Sequence, residues 1–133
     1  MQFDIEGENP FTNDPALPAR VRCVAMVNAA ESDVELTMVT MTFDATDAQR
    51  LQSVLARYVV LSRGQVGCRN IDLALSSTTP DRFVIVQKWD SPDAQRAHFD
   101  SAEMVEMARA CAGLLTGPPK IDLLDPISAH DLA

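Results

Sequence analysis

The stretch RFVIVQKWDSPDAQRAHFDS, residues 82–101, predicts the fold more clearly than any other part of the chain. Its first half is rich in β-branched and aromatic residues, which is typical of a strand with apolar side chains on both faces. Ser91 is then followed by Pro92, a pairing of a helix cap with a first-turn residue. Asp100-Ser101 predicts a second cap, at which the helix restarts in a new direction. The stretch therefore predicts a strand, a tight turn and a broken helix.

Two side chains of this stretch raise a functional question. Trp89, the single tryptophan, ends the predicted strand, and His98, one of two histidines, lies on the helix that follows. The pair could face each other across a reaction site. They could also be packing residues where the strand meets the helix, because a lone tryptophan commonly anchors a core. Residue types alone leave both interpretations open.

The flanking sequence predicts the other elements in order. VELTMVTMTF, residues 34–43, has the composition of a strand, and Thr46-Asp-Ala-Gln49 has the pattern of a capping box. Apolar residues spaced by three and four follow as a helix, for which Gly64 is a predicted left-handed stop. Further strands are predicted at 68–77 and 120–126. The second part of the broken helix carries an apolar stripe of Met104, Val105, Ala108, Cys111, Ala112 and Leu115.

This order of strand, helix, strand, strand, broken helix and strand is the split arrangement of ferredoxin-like folds. The predicted fold class is α+β, a βαββαβ antiparallel sheet with its helices on one face. Val84 and Val86 alternate with Phe83, Ile85 and Trp89, so both faces of this strand carry apolar side chains, and a monomer would leave one face in water. We therefore expect a homodimer in which two sheets pack face to face.

The chain of 133 residues has the length of one domain with additions at its ends. We assign residues 1–33 to an N-terminal extension, 34–126 to the domain and 127–133 to a C-terminal tail. The extension contains RVRCVAMVN, residues 20–28, which is apolar enough to form a strand. Because such a run would not stay solvated, we expect it to join the sheet or to cross to the partner subunit.

Charge and composition exclude several kinds of partner. Eleven Lys and Arg against 19 Asp and Glu give a formal net charge of −8, which repels nucleic acid and anionic lipid. Uncharged runs fall short of a bilayer span. The N-terminus has no basic flank leading into an apolar segment, as a secretory signal would. We expect a cytoplasmic protein that binds neither nucleic acid nor membranes.

No pattern for a metal or a cofactor is present. Cys23, Cys68 and Cys111 are widely spaced and odd in number, which favours free thiols over disulfides or a zinc site. His98 and His130 lack the spacing of metal ligands. The chain also lacks a Gly-rich phosphate loop and a Ser-His-Asp pattern. We expect no cofactor, and hydride and phosphoryl transfer are disfavoured.

Three stretches together resemble a known family. They are VGC at 66–68, the stretch at 82–101, and GLLTGPPK at 113–120. In this order they are similar to the antibiotic biosynthesis monooxygenase (ABM) domain, over about residues 35–126. The resemblance implies a small dimeric α+β barrel. Members of the family include cofactor-free quinol and polyketide oxygenases, haem-degrading enzymes and proteins of no assigned activity.

The resemblance also bears on individual positions. Val39, His98 and Ala108 stand where haem-degrading members have their functional residues, so it implies no haem here. Against a cofactor-free polyketide oxygenase of the family, Trp89 is matched, whereas Gln95 and Ile85 replace a tyrosine and an asparagine. Trp89 and His98 are the candidate catalytic residues. The candidate substrate-binding residues are Met41, Val39, Tyr58, Ile85, Gln87, Met104 and Met107.

Each candidate also has a structural interpretation. The reference pKa of about 6.5 suits His98 to the role of base, but it could equally pack or cap at the kink. Gln87 is expected to pair across the hairpin with Asn70 or Asp72, or to point to a ligand. Tyr58 could lend its hydroxyl to a pocket or bind a backbone carbonyl. The methionines suit an adaptable cavity or an ordinary core.

The expected function is that of a cofactor-independent monooxygenase. It would oxidise a small phenolic, quinol or polyketide-like aromatic substrate with molecular oxygen, with Trp89 stacking on the substrate and His98 accepting its proton. A non-catalytic barrel that binds a small molecule is the alternative. A third possibility is a scaffold whose pocket is collapsed.

Overall fold

The computed structural model describes residues 36–129, which form four strands and three helices. In chain order these are β1 (Thr37–Asp44), α1 (Ala48–Ser62), β2 (Cys68–Leu75), β3 (Arg82–Trp89), α2 (Pro92–Phe99), α3 (Ala102–Ala110) and β4 (Lys120–Leu124). The predicted α+β class and element order are confirmed. The strand predicted at 20–28 and His130 lie outside the described residues.

The strands form one antiparallel sheet in the order β2-β3-β1-β4. In the central pair Met41 lies opposite Ile85 and Thr40 opposite Val86. Since side chains alternate along a strand, this register puts one set of residues against the helices and the other on the open face. The covered set on β1 and β3 is buried: Val39, Met41, Phe43, Phe83, Ile85, Gln87 and Trp89.

The helices cover one face of the sheet and close the core. The first helix contributes Leu51, Leu55 and Tyr58, and α3 contributes Met104 and Met107. Each of these side chains is at most 2% exposed. On the open face of the sheet Val84 and Val86 are only half-buried. The sequence prediction of helices on a single side of the sheet is therefore confirmed.

The start of α1 differs from the predicted capping box. Asp47, not Thr46, is the N-cap, and its carboxylate accepts from the backbone N–H of Arg50 at 3.2 Å. The hydroxyl of Thr46 instead donates to the carbonyl of Gly113 at 3.1 Å. Thr46 therefore forms a long-range hydrogen bond and does not cap the helix as the local pattern predicted.

The end of α1 also differs from expectation. The helix is followed by Arg63 in the right-handed conformation, so the left-handed stop predicted at Gly64 is wrong. The left-handed glycine of this loop is Gly67, with φ of +85°. A Cβ built there would lie 2.5 Å from Cβ of Ala94 in α2. Glycine at this position lets the loop lie directly against the short helix.

Both predicted caps of the broken helix are confirmed. The hydroxyl of Ser91 accepts from the N–H of Ala94 at 3.1 Å, and that of Ser101 accepts from Met104 at 3.2 Å. Helix α3 is shorter than its predicted apolar stripe, because it ends at Ala110.

Candidate functional site

Four side chains from three elements meet between the sheet and the helices. Gln87 and Trp89 lie two residues apart on β3 and therefore point to the same face. Tyr58 faces them from the buried stripe of α1, and His98 comes from α2. Gln87 and Trp89 are 0% exposed, and Tyr58 and His98 are 2% exposed. Three of the four are polar or ionisable groups that must find partners inside the core.

These side chains form one continuous chain of hydrogen bonds. Trp89 Nε1 donates to Gln87 Oε1 at 2.8 Å, and Gln87 Nε2 donates to Tyr58 Oη at 2.8 Å. Tyr58 Oη lies 2.5 Å from His98 Nε2. Beyond the imidazole, His98 Nδ1 lies 2.5 Å from Gln65 Oε1, and Gln65 Nε2 donates to Glu103 Oε1 at 2.6 Å. We call these six residues the buried polar chain; its outer members Gln65 and Glu103 are half-buried.

The two ends of the buried polar chain fix the orientation of its two glutamine side chains. Indole can only donate, so Gln87 must present its oxygen to Trp89 and its amino group to Tyr58. At the other end the Glu103 carboxylate accepts, so Gln65 presents its amino group there and its oxygen to the imidazole. His98 lies between these partners, with Nδ1 facing Gln65 Oε1 and Nε2 facing the Tyr58 hydroxyl.

Burial keeps the two central groups uncharged near neutral pH. Desolvation lowers the pKa of His98 from 6.5 to about 4, and the negative charge of Glu103 opposes this shift. Burial raises the pKa of the Tyr58 hydroxyl, and its hydrogen bond from Gln87 opposes the increase. A neutral imidazole beside a neutral phenol is an acceptor and donor pair through which a proton can pass.

Trp89 and His98 contact each other directly. Their ring centroids are 4.5 Å apart and the ring planes differ by 28°, which is a stacked arrangement. A stack at this distance holds the imidazole in place and leaves no room for a third ring between the two. In the described structure the pair is therefore joined by packing as well as by the buried polar chain.

A cleft of about 60 Å³ lies between α1 and α3 and reaches the buried polar chain from outside. Tyr58 and Glu103 line it together with apolar side chains and the exposed ion pair of Arg57 and Glu106, whose Nε and Oε1 are 3.2 Å apart. The remaining lining residues are Val54, Leu61, Met107 and Ala110. The cleft thus combines an apolar wall with one phenol and one carboxylate of the buried polar chain.

The structure separates the predicted substrate-binding residues into two groups. Tyr58 and Met107 line the cleft, and Met41 Sδ contacts Gln87 Nε2 at 3.3 Å. Val39, Ile85 and Met104 belong to the packed core.

For Gln87 and Tyr58, the structure contradicts one of the two partners that the sequence suggested. Gln87 lies opposite Ile71 in the hairpin, and its side chain does not reach Asn70 or Asp72, which bond to each other at 2.9 Å. Tyr58 binds the side chains of Gln87 and His98 in place of a backbone carbonyl.

Sequence reasoning missed Gln65 and Glu103. Gln65 lies in the loop between α1 and β2, and Glu103 in the first turn of α3, where a carboxylate suits the helix dipole. Gln65 is 33 residues from His98 and 38 from Glu103, so no local pattern joins them. The closest signal was the capping sequence Ser101-Ala-Glu103 of α3.

Two negative findings apply to residues 36–129. No cluster of three or more His, Cys, Asp or Glu side chains in this range could hold a metal ion. None of its helices has the length and apolar composition needed to cross a membrane.

Comparison with solved structures supports the fold. The protein Rv0793 from Mycobacterium tuberculosis superposes with a TM-score of 0.67 at 24% identity, covering 72% of this chain and 99% of its own. PA3566 from Pseudomonas aeruginosa gives 0.63 at 26% identity, covering 72% and 97%. NE2512 from Nitrosomonas europaea, a protein of unknown function, gives 0.66 at 19% identity, covering 75% and 97%.

Comparison of sequences shows which family the chain matches. No curated protein matches the chain. The family model described as antibiotic biosynthesis monooxygenase matches residues 36–110, which is more than half of the 133 residues. The matched range runs from β1 to the end of α3 and includes all six residues of the buried polar chain. The chain therefore belongs to the antibiotic biosynthesis monooxygenase family.

Proposed function

We propose that this protein is a cofactor-independent monooxygenase that oxidises a small phenol or hydroquinone with molecular oxygen. The observation that carries the proposal is the contact of 2.5 Å between the Tyr58 hydroxyl and His98 Nε2. This contact between a phenol and a histidine of lowered pKa, both buried, supports a proton transfer between them. Family membership supports the same class of reaction.

The proposed chemistry requires little beyond a base and a dry site. A phenol that loses its proton becomes a much stronger reductant toward oxygen. In the overall reaction HO–Ar–H + O₂ gives O=Ar=O + H₂O, so the substrate supplies all four electrons. One oxygen atom enters the ring and the other leaves as water. The protein contributes proton removal, orientation and exclusion of bulk water.

The cleft between α1 and α3 provides the proposed route for the substrate proton. Oη of Tyr58 accepts from Gln87 Nε2 and lies against His98 Nε2, to which it can donate. A substrate phenol in the cleft would donate to Oη while Tyr58 passes its own proton to His98 Nε2. Tyr58 would thus act as the relay and His98 as the base.

In this scheme Trp89 stabilises the protonated form of His98. Once Nε2 accepts a proton, the positive imidazolium lies over the indole ring at a centroid distance of 4.5 Å, where the ring face attracts a cation. The negative charge of Glu103 favours the same protonated state. Stacking of Trp89 on the substrate itself, which the sequence suggested, would require His98 to move and stays a prediction.

Oxygen uptake tests the proposal. We expect protein-dependent consumption of oxygen with a panel of hydroquinones and naphthols, and one ¹⁸O atom from ¹⁸O₂ in each product molecule. His98→Ala should reduce the rate by about 100-fold or more, since general base catalysis typically contributes that much. Gln95→Leu is the matched control, because this buried residue of α2 lies outside the buried polar chain. Absence of uptake, or full activity in His98→Ala, would contradict the proposal.

A non-catalytic binding role is the second candidate. It is favoured by the closed Trp89–His98 stack and by the internal partners that satisfy Gln87 and Tyr58. In that case naphthols should quench the fluorescence of Trp89 without any uptake of oxygen. The two measurements, made on the same samples, separate binding from turnover.

We also infer a homodimer formed through the open face of the sheet. Val84 and Val86 are half-buried there, and Leu124 of the edge strand β4 is 38% exposed. Pairing of two such faces would remove these side chains from water. Val86→Asp should shift the mass measured by sedimentation equilibrium toward the monomer. A monomeric wild-type protein would contradict the inference.

A further inference from the structure

We infer that Gln65 and Glu103 are positioning residues that hold His98 in the tautomer protonated at Nδ1, so that Nε2 is the basic nitrogen. This inference rests on the proposed function for its catalytic meaning, and on hydrogen-bond geometry for its structural content. Neither residue touches the position proposed for the reacting atoms. Both act through the imidazole.

Glu103 determines the orientation of the Gln65 side-chain amide. An amide has one accepting and two donating positions, and at residue 65 they face opposite kinds of partner. Gln65 Nε2 lies 2.6 Å from Glu103 Oε1, a charge-assisted bond that is strongest with the amino group as donor. Rotating the amide by 180° would place two oxygens against each other. Glu103 therefore fixes which end of Gln65 faces His98.

The oriented Gln65 in turn determines the tautomer of His98. With Oε1 of Gln65 at 2.5 Å, the proton of a neutral imidazole is placed on Nδ1. The other tautomer would put two lone pairs against each other at that contact. The contact with Tyr58 fits either tautomer, because its hydroxyl can donate to an unprotonated Nε2 or accept from a protonated one. The contact with Gln65 therefore decides the tautomer.

The tautomer of His98 decides whether it can accept a proton from Tyr58. Only a lone pair on Nε2 can take a proton from Tyr58, so the other tautomer of His98 is inactive in the proposed relay. An amide of fixed orientation stabilises the active tautomer without placing a full charge against the ring. Glu103 lies one residue further along the chain of bonds, and its charge favours the imidazolium that forms.

The experiment is ¹⁵N NMR of the full-length protein carrying His130→Gln, which leaves His98 as the single imidazole. Long-range ¹H–¹⁵N correlations distinguish a protonated from an unprotonated ring nitrogen. We expect Nδ1 protonated and Nε2 unprotonated at pH 7. A protonated Nε2, or a near-equal mixture of tautomers, overturns the inference without any activity measurement.

Two variants test the roles of the positioning residues. Gln65→Leu should produce a mixture of tautomers and reduce kcat/KM by about tenfold or more. The exchange Gln65→Glu with Glu103→Gln should restore the Nδ1-protonated form, because a carboxylate at 65 accepts from both Nδ1 and the amide at 103. Gln95→Leu is the control for the same change of side chain at a glutamine outside the buried polar chain. It should alter neither readout.

The outcomes separate the inference from the proposed function. If Gln65→Leu leaves the His98 tautomer unchanged, the positioning role is wrong whatever the activity. If the tautomer changes and kcat/KM does not, the role in catalysis is wrong. If wild-type protein consumes no oxygen but the tautomer follows these expectations, the proposed function fails and the assignment of Gln65 and Glu103 as tautomer-fixing residues stands.

Discussion

Tyr58→Phe is the most informative single substitution for the stability of this core. It removes one oxygen and keeps the ring, so packing volume is nearly unchanged. The lost Oη is the partner of both Gln87 Nε2 at 2.8 Å and His98 Nε2 at 2.5 Å. Each buried polar group left without a partner costs about 1–3 kcal/mol. Gln87 keeps a weak contact with Met41 Sδ at 3.3 Å, so we expect a total loss of about 2–4 kcal/mol.

Urea unfolding of both proteins at equal concentration measures this loss. The m-value should stay the same, because the substitution does not change the surface exposed on unfolding. Ser53→Ala is the matched control, since it removes one oxygen from the exposed side of the same helix and should cost at most about 0.5 kcal/mol. If Tyr58→Phe costs no more than this control, the buried polar chain does not stabilise the fold and the reasoning fails.

Three further predictions concern neighbouring positions. The pKa of His98 is about 4 in the folded state and about 6.5 in the unfolded state, so the unfolded state binds a proton first as the pH falls. The free energy of unfolding should therefore decrease by roughly 3 kcal/mol between pH 6.5 and pH 4. Urea titrations across this range should show that loss in wild type and a smaller one in His98→Gln. Gln95→Leu should be neutral or stabilising by up to about 1 kcal/mol, since the buried Nε2 of Gln95 has no hydrogen-bond partner among the described residues; a loss above about 1 kcal/mol would contradict this. Gly67→Ala should lower the thermal midpoint, with a loss of at least about 1 kcal/mol from its φ of +85° and the contact with Ala94. Ala94→Gly in the same molecule should recover part of the difference, and an unchanged midpoint in Gly67→Ala would refute the argument.

The fold could be predicted from sequence because its signals are local. The alternation along β3 and the caps at Ser91 and Ser101 depend on a few neighbouring residues, and the structure reproduces all of them. The capping box of α1 is the instructive exception. Two adjacent residues could each cap the helix, and a bond from Thr46 to Gly113, 67 residues away, decided between them.

The site was only partly predictable, because its connections are made across the fold. Residue types pointed correctly to Trp89, His98 and Tyr58 as neighbours of one region. The partner of Gln87 depended on the hairpin register, which places it opposite Ile71 and puts Asn70 and Asp72 on the other face. Turn sequence alone does not fix that register. Gln65 carried no signal at all, because a glutamine in a loop acquires its role only when α2 and α3 pack against it.

The short helix α2 is attached to the rest of the fold by the hydrogen bonds of His98 as well as by apolar contacts. It has only eight residues, too few to be stable in isolation, and two of its three buried side chains are Gln95 and His98. An apolar contact tolerates a small slide of one surface over another, whereas directional bonds do not. A shift of α2 by one residue would part His98 from Tyr58 and Gln65 together. The buried polar chain therefore sets the position of α2 on the sheet. Because burial disfavours the charged imidazole, we expect acid to weaken the attachment of this helix.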